Sequence, residues 1–255
     1  MNATPPGVRL ERLGAVAVIT LDDAPHRNAI TLELAASIDQ VMTELEADDT
    51  ISAVVVTGAG SAFCAGADLD VLLRGDLSEY RRLYDAFLRL SRSSLLTIAA
   101  VNGAATGAGF NLALCCDLRV VSPKARFIAR FLEIGLHPGG SHTWMLQRAV
   151  GAQLAKALVL CGEELDGQRS VDAGLAIACV EPEELVRTAV DLGARAGSVP
   201  RELLIRTKAT MALGEHCESQ DEAVEMEARA QLWSTTLPYF RDRVAAMRAR
   251  IHGRS

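Results

Sequence analysis

Residues Val101–Asp117 read VNGAATGAGFNLALCCD, and this stretch restricts the fold more than any other. Thr97–Val101 is a short apolar strand that runs into Asn102-Gly103. Glycines at 103, 107 and 109 bracket alanines and a threonine, and Phe110–Cys116 continues as an apolar helix. A turn almost bare of side chains lets a ligand come close to the backbone. The first N–H groups of a helix have no partner inside it and point outward as donors. A carbonyl oxygen that gains negative charge in a reaction would be stabilised there by about 3–4 kcal/mol per well-placed donor. Small residues at such a junction also serve close packing, so the turn alone does not define a site. Its glycines fall as G-x-x-x-G-x-G, which is not a dinucleotide fingerprint, and no Gly-Lys-Ser/Thr follows to make a phosphate loop.

A second stretch repeats the arrangement. Ser61–Leu69, SAFCAGADL, follows the strand Ala53–Val56 and Thr57-Gly58, and leads to a helix start at Asp68. Two such loops can offer two backbone donors to one oxygen. Taken together, TGAGSAFCAGADL and AAVNGAATGAGFNLALCCDLRV resemble the crotonase family, the enoyl-CoA hydratase/isomerase family, over about Val16 to Val180 with a looser helical tail.

Composition sets the outer bounds. A chain of 255 residues makes one large domain, or one with a small appendage. Apolar residues are 49% but aromatics only 4%, so Ala, Val and Leu must fill the core. A net charge of −6 argues against nucleic acid as a partner. The start MNATPPGVRLERLG carries no basic-then-apolar signal, and no apolar run approaches a membrane span, so a cytoplasmic location is expected. The six cysteines lack C-x-x-C pairs or Cys/His spacing and read as reduced, with no disulfide and no metal. Cys64 sits in the first loop, but no nearby histidine is evident to activate it.

Along the chain, residues 1–7 read as a frayed end. Val8–Leu13 and Val16–Leu21 are strands around Gly14, and Thr31 caps a helix to about Ala47, whose buried face is Leu34, Ile38, Val41, Met42 and Leu45. Ser52–Thr57 is a buried strand. Asp70–Ser94 reads as helical, Leu118–Ser122 as a strand, Thr143–Val150 and Ala152–Cys161 as helical, and Leu175–Val180 as a strand. Helices follow over about 182–197, 200–214 and 218–250, with Pro238 interrupting the last. Alternating strands and helices, then helices alone, give an α/β class with parallel pairing. The resemblance implies the crotonase (ClpP/crotonase-like) spiral of ββα units over residues 1–195. It also implies a helical region, 196–255, that assembles a homotrimer or a dimer of trimers. Trp233, Leu237, Tyr239, Phe240, Val244 and Met247 are an apolar set suited to that packing.

The same resemblance assigns the chemistry. The substrate is an acyl-CoA thioester, with coenzyme A part of the substrate and no separate cofactor. The thioester oxygen accepts from the amides of Ala67 and Ala108 as an enolate forms. Arg27 is the basic position toward the coenzyme A phosphates. Ala65, Asp68 and Leu69 line the adenine and thioester loop, with Asp68 as a cap. Hydratases of the family use two glutamates, and the matching positions here are Asn111 and Phe131. Neither an amide nor a phenyl ring is a general base at neutral pH. Three substitutes stand nearby: Glu133, displaced by two residues; His137, preferred over His142 of the pair flanking Pro138-Gly139-Gly140-Ser141; and Asp70. Readings left open are an acyl-CoA enzyme (hydratase, isomerase, decarboxylase, dehalogenase or thioester hydrolase), a non-catalytic acyl-CoA binder, and a purely structural assembly protein.

Overall fold

A computed structural model describes residues 7–252. The frayed end read at residues 1–7 therefore lies, apart from Gly7, outside the described residues. Strands β1 (Val8–Leu13) and β2 (Val16–Leu21) form the expected hairpin, turned at Gly14 with φ +62°. Helix α1 (Leu32–Ala47) follows, and the Thr31 side chain accepts from the Leu34 amide at 3.0 Å, as its place before the apolar repeat predicts. Next come β3 (Ala53–Gly58), β4 (Ala62–Cys64), α2 (Leu69–Arg74), α3 (Leu77–Ser91), β5 (Leu96–Val101), β6 (Ala104–Thr106) and α4 (Ala108–Leu114). Then follow β7 (Leu118–Val121), β8 (Arg126–Ile128), a 3₁₀ turn at Leu132–Ile134, α5 (His142–Leu160), β9 (Glu164–Asp166), α6 (Gly167–Asp172), β10 (Ala178–Cys179) and α7 (Pro182–Ala196). The last helices are α8 (Arg201–Gly214), α9 (Gln220–Ser234) and α10 (Pro238–His252).

The strands form two sheets. One has six strands in the order β1-β2-β3-β5-β7-β10, parallel except for the β1 edge; the other has four, β4-β6-β8-β9. Each long strand thus hands the chain to a short strand of the second sheet and then to a helix, in β3–β4–α2, β5–β6–α4 and β7–β8–α5. This repeat is the spiral of ββα units that the resemblance implies. The strands of the large sheet read as continuous apolar runs because both faces are buried. Val16, Val18, Ala53, Val55, Ile98, Ala100 and Val120 face Leu185 and Ala189 of α7. Their alternates join Leu34, Ile38, Met42, Phe63, Phe87, Phe110 and Phe127 in the main core.

Two expectations need correction. Asp70–Ser94 is not one helix. The chain breaks at Gly75, φ +68°, and restarts with Asp76 accepting from Ser78 and Glu79, which satisfies the orphan amides of a new helix. The segments Thr143–Val150 and Ala152–Cys161 are helical as read, and non-helical Gly151, φ +78°, parts them within α5. The loops at Ala62–Cys64 and Ala104–Thr106 are strands, paired parallel in the small sheet. By contrast α9 and α10 part just before Pro238, where the ring removes a helix donor.

The chain divides into two compact units, Met1–Ala196 and Gly197–Ser255. Within the second, Arg206 of α8 stacks on Trp233 of α9 with 4.0 Å between guanidinium carbon and ring centre. Among the described residues no helix is long and apolar enough to cross a membrane.

Candidate active site

The two small-residue loops meet because glycine lets them. Gly66 has φ +117°, and a Cβ on it would lie 3.1 Å from the Thr106 carbonyl oxygen and 4.0 Å from the Ala108 nitrogen. Ile30 pairs with Ala67 as an isolated parallel bridge. The Ile30 amide donates to Gly66 at 2.7 Å and the Asp68 amide donates back to Ile30 at 2.9 Å. The Ala67 amide between them therefore points to the opposite side. Ala108 is the first residue of α4, where an amide has no intrahelical acceptor. Neither amide donates to a protein acceptor among the described residues.

Two asparagines hold these loops. Asn28, fully buried with φ +58°, donates to the carbonyls of Ala59 and Ala62 at 3.0 Å each and accepts from the Asp23 amide. Asn102 accepts from the Gly58 amide at 3.1 Å and donates to Gly60 at 3.1 Å. Asp68 caps α2, accepting from Asp70 at 2.8 Å and from Val71 at 3.2 Å, so its carboxylate is engaged with backbone.

Between the loops, α3 and the segment 130–139 lies a cleft of about 1130 Å³. The site residues expected from sequence line it: Arg27, Ala65, Ala67, Asp68, Leu69, Asp70, Ala108, Asn111, Phe131, Glu133 and His137. The three substitute acid/base groups sit at its open side. Glu133 is exposed and ion-paired with Arg130 at 3.1 Å. His137 is exposed, with Nδ1 2.8 Å from the carbonyl oxygen of Pro138. Asp70 is exposed in the first turn of α2. Asn111 and Phe131 are both buried, 2% and 9% exposed.

The inner wall holds Tyr84, which the sequence reading passed over, and His142 is buried beside Asn111 and Phe131. Tyr84 lines the cleft with its ring 5.7 Å from that of Phe87, and its hydroxyl stands where a Cβ on Gly139 would be, 2.3 Å away. Burial pushes its pKa up, so it is a neutral phenol with an O–H to give. His142, the histidine set second in the sequence reading, is 1% exposed. Its Nδ1 is 2.7 Å from Asn111 Oδ1, and its ring is edge-on to Phe110 and Phe131 at 5.3 and 4.8 Å. Desolvation lowers its pKa to about 4, so the ring is neutral. Cys64 is fully buried and desolvation raises its thiol to about 12; it is no nucleophile at neutral pH. Helical spacing on α3 was the available signal for Tyr84, which follows Leu83 on the face that carries Phe87.

The chain thus runs from strand to strand to helix and brings two free amides, Ala67 and Ala108, to one cleft. Residues 11–239 match the enoyl-CoA hydratase/isomerase family, and the chain belongs to that family. It is 46% identical to a probable enoyl-CoA hydratase of Mycobacterium tuberculosis over 92% of this chain and 94% of the relative. Among solved structures it is similar to a probable enoyl-CoA hydratase/isomerase from Mycobacterium abscessus, with 30% identity, TM-score 0.87 and 96% of each chain covered. It is also similar to a Thermobifida fusca protein solved in complex with acetoacetyl-CoA, with 29% identity, TM-score 0.82 and coverage of 90% of this chain and 95% of that one.

Proposed function

We propose that this protein binds an acyl-CoA thioester in the cleft and stabilises the enolate of its acyl group. The observation that carries the reading is the pair of unpaired amides, Ala67 and Ala108, on loops brought together at Gly66. A thioester oxygen placed between them accepts two N–H bonds, and each is worth more as charge develops, because the donors are fixed and shielded from water. Arg27, exposed at the rim, serves the coenzyme A phosphates, and the apolar wall of Leu72, Leu83 and Phe87 takes the acyl chain. The acetoacetyl-CoA bound by the Thermobifida fusca protein fits the same reading. The exposed apolar side chains of the second unit, among them Leu232, Phe240 and Met247, are proposed to assemble a trimer or a dimer of trimers.

A second reading has its own support. Asn111 and Phe131 stand where hydratases carry glutamates, and the nearest acid/base groups lie at the open side of the cleft. Such a pocket can hold an acyl-CoA without turning it over.

One experiment separates these. Turnover is followed by the conjugated-thioester absorbance with 2-enoyl- and 3-enoyl-CoA of several chain lengths, and binding of the same compounds is measured alongside. Product from 2-enoyl-CoA gives a hydratase, and product only from 3-enoyl-CoA gives an isomerase. Binding without product gives the non-catalytic binder or another reaction of the same enolate. No binding of any thioester would overturn the proposal.

A further inference from the structure

His142 touches both residues that stand in the glutamate positions. It is bonded to Asn111 and packed edge-on against Phe131. The hydrogen bonds around Asn111 fix every proton in the set. Asn111 Nδ2 donates to the Gly139 carbonyl at 3.0 Å. Turning the amide over would face its oxygen to that carbonyl, two acceptors together, so Oδ1 is the atom toward His142. Oδ1 can only accept, hence Nδ1 of His142 carries the proton. The ring is neutral, so Nε2 is a bare acceptor, and it meets no protein donor. An unpaired buried acceptor costs free energy, and a leucine or phenylalanine would fill the same space without that cost. What the imidazole adds is the single N–H that holds Asn111.

The consequence falls on the cleft. An amide nitrogen has two hydrogens. One Asn111 N–H is committed to Gly139, and the other has no partner among the described residues. With Oδ1 turned to His142, the group that Asn111 has left to offer the cleft it lines is a donor, the opposite of a carboxylate. Resting on the acyl-thioester reading above, we propose that His142 is a positioning residue that makes Asn111 a hydrogen-bond donor to an oxygen on the acyl chain, close to the thioester. The ligand class is therefore an oxygen-bearing acyl-CoA, such as a 3-oxoacyl thioester, in preference to the plain acyl chain.

The test uses 3-oxobutanoyl-CoA and butanoyl-CoA as probes on the full chain, with affinities from titration calorimetry. Wild type is expected to prefer the 3-oxo compound by about tenfold, the value of one net hydrogen bond to a sheltered donor. His142→Phe, which keeps the volume and loses the N–H, should bring that ratio close to one while leaving butanoyl-CoA binding in place. His142→Asn puts a side-chain N–H where Nδ1 was and should retain most of the preference. Nitrogen-15 spectra of the histidine-labelled wild type, with His142 assigned by its loss in the variants, should show a neutral ring protonated at Nδ1; free histidine favours Nε2. The proposal is overturned by an Nε2–H tautomer, by a preference that survives in His142→Phe, or by equal binding of the two thioesters to wild type. In that last case the acyl-thioester reading stands. If wild type binds neither, that reading fails and this one falls with it.

Discussion

A Cβ built on Gly109 would lie 2.1 Å from the carbonyl oxygen of Cys64. The helix that leaves the second loop is thus seated on the strand that enters the first, backbone to backbone. Gly109→Ala has nowhere to place its methyl except by parting α4 from β4, and both are core elements. Overpacking against backbone predicts a loss of about 3 kcal/mol or more, or a midpoint lowered by roughly 6–12 °C in a chain of this size. Thermal unfolding checks it. A midpoint within a degree of wild type would mean the loops are not in the contact described.

The amide of Ala108 can be removed with little disturbance of the fold. Proline is accommodated at the first position of a helix, where its missing N–H had no acceptor, and Ala108 holds that position. Ala108→Pro should therefore unfold close to wild type yet turn over thioesters about 100- to 1000-fold more slowly, the usual cost of one oxyanion donor. Equal turnover with the fold intact would remove Ala108 from the chemistry.

The two loops were legible in the sequence because bare, glycine-rich turns after apolar strands have few other uses, and they placed the expected site residues on one cleft. Legibility ended where the pattern became too short or too local. Strands of three residues such as Ala62–Cys64 and Ala104–Thr106 hold barely one period of alternation, so in sequence the second sheet looks like loop. The break at Gly75-Asp76 did carry a signal, glycine after one helix and aspartate before the next, masked by the apolar residues on both sides. His142 gave none. It sits among glycine and serine, and it is buried only because Gly140 and Ser141 both take left-handed conformations, φ +64° and +62°, ahead of α5, a placement that no local pattern announces.

Tyr84 has a hydroxyl with no protein partner among the described residues, in the wall of the cleft beside Gly139. Its ring packs on Phe87, so Tyr84→Phe keeps the packing and deletes only the O–H. Stability should stay within about 0.5 kcal/mol, and affinity for a thioester that reaches this wall should fall by roughly three- to tenfold. Binding measured beside thermal unfolding separates the two. A matching fall in both would make Tyr84 a packing residue.

Burial of the neutral His142 ring also sets a pH dependence of folding. Its pKa is lowered from 6.5 to about 4 by desolvation, so the unfolded chain takes up this proton at higher pH than the folded one. The stability contributed by the neutral ring is complete above about pH 6.5 and is lost as pH falls toward 4. The difference corresponds to about 3 kcal/mol at most. Glu46 shifts in the same sense, its carboxylate held down by bonds from Arg89 and Ser93 against the opposing cost of its own burial; that loss begins lower, near the ordinary carboxylate range. Denaturant unfolding at pH 7.5, 6, 5 and 4.5 should show wild type weakening from pH 6.5 downward. His142→Asn, which has no titrating ring, should stay level until carboxylates begin to protonate. Parallel curves for the two proteins between pH 6.5 and 5 would mean that the ring is already charged, or solvated, in the native state, and the bond to Asn111 Oδ1 would then need another description.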